Sequence, residues 1–204
     1  MNPGMKDRIL KGATKLYRNH GFSGVRIDDI AAFLGISKKT IYNHFPGKSA
    51  LIQAVIELNV LNICQRLETF TTDEALNRNS LDQIHSLMVF GYQEISSGGW
   101  LFKEDTRNGH FRDLVEDSLE LIRDKIICMA GKYLDRGIQD GMIRSDVSKE
   151  ILPYIIAIIV EGIFQLHRYS GIRVKGDELF KEAMKMIYEG ILTAKGKEIF
   201  HDKW

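Results

Sequence analysis

The chain has 204 residues, 44% hydrophobic and 27% charged, enough for one ordinary domain, a small second one and a sizeable core. Its 28 Lys/Arg and 27 Asp/Glu nearly cancel, but the first 50 residues hold nine basic groups against Asp7, Asp28 and Asp29, a local +6, which leaves −5 on the rest. A basic block on a mildly acidic body fits a polyanionic partner for the block alone, and a longest apolar run of ten residues, 151–160, excludes a membrane span.

The amino terminus lacks an apolar signal core, so a cytoplasmic location is expected. Cys64 and Cys128 sit among apolar residues and are expected as buried, reduced thiols. No His/Cys spacing suits a metal, and neither metal nor cofactor is expected.

Apolar residues recur with a period near 3.6, which predicts an all-α chain of about nine helices. The first should run over 5–20, with Ile9, Leu10, Ala13, Leu16 and Tyr17 on one stripe and Gly21 as its stop. The second fits 27–34 and ends at Gly35. Ser37 is placed to cap a third helix, because its hydroxyl can accept from an amide one turn on. Helix, glycine-containing turn and helix make a helix-turn-helix.

The fourth helix is predicted over 48–70. A capping box of Ser80 and Gln83 opens a fifth, running to about 95, and a short sixth is expected over 100–108. The seventh spans 112–140 before Gly141. The eighth covers 148–170, with Pro153 tolerated in its first turns, and the ninth covers 177–195. The expected domains are residues 1–47 for the helix-turn-helix and 48–204 for the remaining helices, with the fourth helix as connector.

The segment 38–45 carries the chemistry. On a helical wheel Ile41 and Phe45 fall together and face inward. Lys39, Thr40 and Asn43 face outward, flanked by Lys38 and Tyr42 on one side and His44 on the other. Lysine can bond guanine O6 or N7, asparagine can pair with adenine, and threonine can touch a thymine methyl. Tyr42, His44 and Lys48 suit phosphate oxygens, which fix register without reading sequence. A solvated helix face is the ordinary reading of such a stretch. The coincidence of turn glycine, cap, local positive charge and outward donors favours duplex DNA.

The stretch "GFSGVRIDDIAAFLGISKKTIYNHFPGKSAL" resembles the amino-terminal domain of the tetracycline-repressor (TetR) family of bacterial regulators. The marks are Gly21-Phe22, Ile30-Ala31, Gly35-Ile36-Ser37, Thr40-Ile41-Tyr42, His44-Phe45, and Lys48 with Leu51, within the first 55 residues or so. "DGMIRSDV" also looks like the family's connection into the eighth helix. The resemblance implies a homodimer, through the eighth and ninth helices, on a pseudo-palindromic operator. It also implies that the fourth to eighth helices surround a small-molecule effector. By motif, Ser37, Lys38, Lys39, Thr40, Tyr42, Asn43 and His44 belong to the capped reading helix, and Lys48 meets phosphate.

Three departures stand out. Arg26 replaces a usual threonine or serine that caps the second helix; arginine can still reach phosphate, but the helix start is expected to weaken by about 1 kcal/mol. Lys39 replaces a residue that is usually small. Phe33 and Leu34 are bulky and are expected to pack against the first and fourth helices.

Nothing in residues 56–204 combines a nucleophile, base and carboxylate, and no phosphate-binding loop occurs, so no enzyme is expected. Met88, Tyr92, Trp100, Phe102, Phe111, Met129 and Phe164 are candidates to line an effector pocket, with His167 or Tyr92 as polar anchor. The expectation is a dimeric transcriptional regulator, a repressor released by a small ligand. The alternative is a ligand-independent architectural DNA binder with the same amino-terminal domain.

Overall fold

The computed structural model describes residues 3–71, 78–98, 112–168 and 174–200. Among these residues there is no strand, and nine α-helices account for almost all the regular structure. They are α1 (Pro3–Gly24), α2 (Ile27–Leu34), α3 (Lys38–Tyr42), α4 (Lys48–Glu68), α5 (Ser80–Gly98), α6 (Arg112–Gln139), α7 (Leu152–Arg168), α8 (Gly176–Ile191) and α9 (Ala194–Phe200). A 3-10 turn, Thr69–Thr71, follows α4. The predicted helix over 100–108 lies outside the described residues. The ninth helix is instead α9, because the chain breaks at Leu192 (φ −78°, ψ 143°) where a single continuous helix was expected.

The chain forms two compact units, 1–65 with 97–122, and 66–96 with 123–204. In the first, α1 supplies Ile9, Ala13 and Tyr17, α2 Ile30, α3 Ile41 and α4 Leu51, Val55 and Ile56 to one apolar cluster, which Val115 of α6 completes. The expected stop at Gly21 is a kink (φ 75°, ψ 169°) after which one further turn runs to Gly24. Helices α1 and α2 approach closely at Gly12, where a Cβ would lie 2.7 Å from Cδ2 of Leu34.

In the second unit Leu81, Ile84, Leu87 and Met88 of α5 are buried, as are Leu134 of α6, Ile156 and Val160 of α7, and Phe180, Met184 and Tyr188 of α8. The expected cap of α5 is displaced by one residue. Asn79 Oδ1 accepts from the Asp82 amide at 2.9 Å, and Asn79 Nδ2 donates to Asp82 Oδ2 at 2.9 Å. Ser80 is therefore the first helical residue, and it is buried.

A clasp closes this unit. Met142 accepts from the Thr193 amide at 3.0 Å, and Ile191 accepts from the Arg144 amide at 2.9 Å, around an antiparallel bridge of Ile143 and Leu192. Thr193 Oγ1 donates to the Gly141 carbonyl at 2.7 Å, and Lys195 Nζ to the Asp140 carbonyl at 2.7 Å. Of the cysteines, Cys64 is buried as expected, whereas Cys128 is exposed on α6; both are free thiols. No described helix is long and apolar enough to cross a membrane.

Candidate nucleic-acid interface

The turn between α2 and α3 is built almost wholly from backbone. Gly35 takes the left-handed conformation (φ 63°, ψ 36°), which glycine adopts without a Cβ penalty. Its amide donates to the Ala32 carbonyl at 3.2 Å, and the Ile36 amide donates to the Ala31 carbonyl at 3.0 Å. This paired closure is a Schellman motif, and it satisfies the carbonyls at the end of α2. Arg8 Nη2 adds a bond to the Leu34 carbonyl at 2.6 Å. Ser37 then caps α3 as expected, its Oγ accepting from the Thr40 amide at 3.1 Å.

The start of α2 has no side-chain cap from Arg26, as expected, but it is not left unsupported. Arginine has no acceptor with which to cap a helix. The Asp29 carboxylate instead accepts from the Arg26 amide at 2.7 Å, one half of a capping box, so the helix start is supported from its third residue. Asp28 and Asp29 also place negative charge at the positive end of the helix dipole.

Helix α3 is shorter than the expected 38–45. It stops at Tyr42, but the amides of His44 and Phe45 still donate to the Ile41 carbonyl at 3.0 and 2.9 Å, which keeps the inward register. Ile41 is 0% and Phe45 4% exposed. On the outer side Lys39 and Asn43 are exposed, and Tyr42 is 50% exposed. The interior clamp and the outward donors thus alternate along a single turn and a half.

The other expected site residues have defined surroundings. The Thr40 hydroxyl lies 2.9 Å from the Ser37 hydroxyl, so both belong first to the cap. Lys38 forms an ion pair with Asp28 across the two helices. His44 is half-buried in the turn, Lys48 is half-buried as the first residue of α4, and Arg26 is exposed. Two contacts went unforeseen. Lys15 of α1 lies over the Phe33 ring at 5.5 Å, and Lys6 over the Phe45 ring at 5.9 Å. Leu34 packs on α1 as expected, but Phe33 does not enter the core; it is half-exposed beneath the Lys15 ammonium.

Of the expected pocket residues, Met88 is buried, and its Sδ accepts from the Tyr188 hydroxyl at 3.5 Å. Tyr92 stacks on Phe180 with centroids 4.2 Å apart, and its hydroxyl donates to Asp177 Oδ1 at 2.7 Å. Burial and the Asp177 carboxylate push this hydroxyl up to about 12. Met129 is half-buried on α6. Trp100, Phe102 and Phe111 lie outside the described residues, as do the side chains of Phe164 and His167.

Residues 9–55, the segment that carries this turn and its clamp, match the tetR family of bacterial regulatory proteins. This segment is a tetR-type amino-terminal domain. The HTH-type transcriptional regulator YvaF of Bacillus subtilis is 32% identical over 85 residues, 42% of this chain and 43% of that protein. IcaR of Staphylococcus aureus, a negative transcriptional regulator of the biofilm operon icaADBC, is 28% identical over 75 residues, 34% of this chain and 40% of IcaR. The match thus spans about two fifths of the length of these curated relatives. Among solved structures, the choline complex of a protein from Saccharomonospora viridis superposes with a TM-score of 0.75 at 20% identity, over 92% of this chain and 97% of that one. The transcriptional regulator FadR of Bacillus subtilis, bound to stearoyl-CoA, gives 0.65 at 13% identity, over 91% and 98%. These likenesses show that the fold is shared over most of the chain, beyond the amino-terminal domain.

Proposed function

We propose that this chain is a dimeric, sequence-specific DNA-binding regulator of the tetR family, a repressor that leaves its operator when a small molecule binds. The observation that carries the reading is the geometry of α3. Ile41 and Phe45 are buried, while Lys39 and Asn43 offer donors from the opposite side and the half-exposed Tyr42 from the flank. In this reading residues 1–47 bind DNA, with Arg26, Ser37, Lys38, Thr40, His44 and Lys48 contributing around the three outward residues. Residues 48–204 bind effector and partner, α4 connects the two, and the protein acts in the cytoplasm.

An exposed apolar stripe supports dimerisation through α7 and α8. Tyr154, Ile155 and Ile158 fall on one side of α7, opposite its buried side, with exposed Ile151 just before its first residue; Ile158 is 68% exposed, and Met186 of α8 75%. Such a stripe is ordinarily covered by a partner. A second copy would place two reading helices about 34–36 Å apart, the spacing of successive major grooves. The choline and stearoyl-CoA complexes of the structural neighbours support an effector, and IcaR, a negative regulator, supports repression. An effector can weaken operator binding only by its own preference for the non-binding conformation. If it engages Tyr92, it must compete with Asp177 for that hydroxyl.

Selection of bound duplexes from genomic fragments tests the proposal. A pseudo-palindromic site should emerge, bound with an affinity that falls steeply with salt, at a slope of about −0.9 per phosphate neutralised. Lys39→Ala should alter preference at one base pair per half-site, a guanine by the chemistry of lysine. Recovery of no preferred half-site pair, or binding insensitive to salt, would overturn the reading. A preferred site that no small molecule ever releases would leave the architectural alternative.

A further inference from the structure

The Asp28–Lys38 ion pair joins α2 to α3 on the surface that the proposed function gives to DNA. Segment 26–48 holds two acidic residues, and they behave differently. The Asp29 carboxylate is taken up by the Arg26 amide, a local structural task. The Asp28 carboxylate reaches out of its own helix to the first residue of the next. The two helices meet there through the Gly35–Ser37 turn, whose closure uses backbone bonds and the Ser37 cap and does not require this pair. Both side chains of the pair are more than half exposed.

We propose that Asp28 is a positioning residue for Lys38, anchoring its ammonium to α2 and withholding one cation from sequence-independent attraction to phosphate. The inference rests on the DNA-binding reading above. On arbitrary DNA the protein samples many registers, and a lysine able to swing finds a phosphate in most of them. An anchored lysine does not. On a preferred site base contacts fix a single register, and one fewer mobile phosphate contact matters less. Asp28 therefore lowers binding to arbitrary DNA more than binding to the preferred site, and Lys39 and Asn43 are left to decide where the protein stays. The effect is bounded by the pair itself: an exposed ion pair holds its partner by a factor of about 1.5 to 5. One released cation adds at most about 0.9 to the salt slope.

The experiment uses the full chain and two duplexes of equal length, the selected preferred site and a random sequence, titrated at several salt concentrations. Wild type is compared with Asp28→Asn, Asp28→Glu, Lys38→Gln and the Asp28→Asn/Lys38→Gln double variant. Asp28→Asn should bind the random duplex about two- to fivefold tighter with a steeper slope, and the preferred-to-random ratio should fall. Asp28→Glu, which keeps the pair, should stay near wild type. The Asp28→Asn gain should vanish in the Lys38→Gln background. A role of Asp28 confined to stabilising α2 would shift the melting temperature and both duplexes together, and it would overturn the proposal. So would an unchanged random-duplex affinity, or a gain that persists without Lys38. If wild type itself binds neither duplex in a salt-dependent way, the proposed function falls and this inference falls with it. Wild-type binding with no Asp28→Asn effect removes the inference alone.

Discussion

Gly196 sits so close to Met142 that a Cβ added at residue 196 would lie 2.1 Å from the Met142 carbonyl oxygen. The obstacle is backbone, held by its bond from the Thr193 amide, and it cannot rotate away. Gly196→Ala should therefore destabilise the protein by about 1–3 kcal/mol, although alanine is ordinarily the better helix former. Gly190, with nothing within 4 Å of its absent Cβ, is the control; Gly190→Ala should be neutral or stabilise by up to about 1 kcal/mol. Urea denaturation of both variants checks the opposite signs.

At α3 stability and recognition should separate. Ile41→Ala empties a fully buried position and should cost about 2–5 kcal/mol, abolishing DNA binding along with the fold of the first unit. Lys39→Ala should leave stability within about 0.5 kcal/mol while changing base preference. Melting curves paired with binding to single-base-pair variants of the preferred site distinguish the two.

The start of α2 offers a gain as well as a loss. Asp29→Ala removes the acceptor of the Arg26 amide and should cost about 1 kcal/mol. Arg26→Ser supplies a capping oxygen that arginine lacks, so it should add about 0.5–1 kcal/mol to stability. Chemical denaturation reads the stability change, and DNA titration reads any separate loss of a phosphate contact by Arg26.

The pH dependence should carry the mark of His85. Its ring lies 5.6 Å from that of Phe200, and burial holds its basicity below the ordinary value of 6.5. Between that lowered value and 6.5 the unfolded chain binds a proton that the folded chain refuses. This contribution to stability is therefore complete above 6.5, declines as pH falls below it, and levels off under the folded value. His85→Phe should flatten that part of the profile. Thermal midpoints of both proteins from about pH 7.5 down to about pH 5 provide the comparison; a wild type that loses no more stability than the variant would contradict it.

The helix-turn-helix was legible because its signals are local: Gly35, Ser37, and the inward spacing of Ile41 and Phe45 each act within one or two turns. The rest depends on partners far along the chain. Phe33 looked like core until Lys15 proved to cover it from α1, and the Asp28–Lys38 pair spans ten positions with no periodicity to announce it. The break at Leu192 was hidden for the same reason, since its cause is pairing with Ile143 some fifty residues earlier. The displaced cap of α5 has a different origin. Asn79 and Ser80 are both good capping residues, and burial of Ser80 decided between them. The candidate effector pocket was the least legible, because apolar helical residues read alike whether they fill a core or line a cavity.

Within α3 the residues that hold the helix and the residues that face outward are different ones. Ile41 and Phe45 answer to folding; Lys39, Tyr42 and Asn43 make little demand on it. Substitutions at the latter three are thus nearly invisible to protein quality control, and through Lys39 and Asn43 sequence preference can drift one base pair at a time. A duplicated copy of the gene would acquire a new set of targets well before it lost its fold.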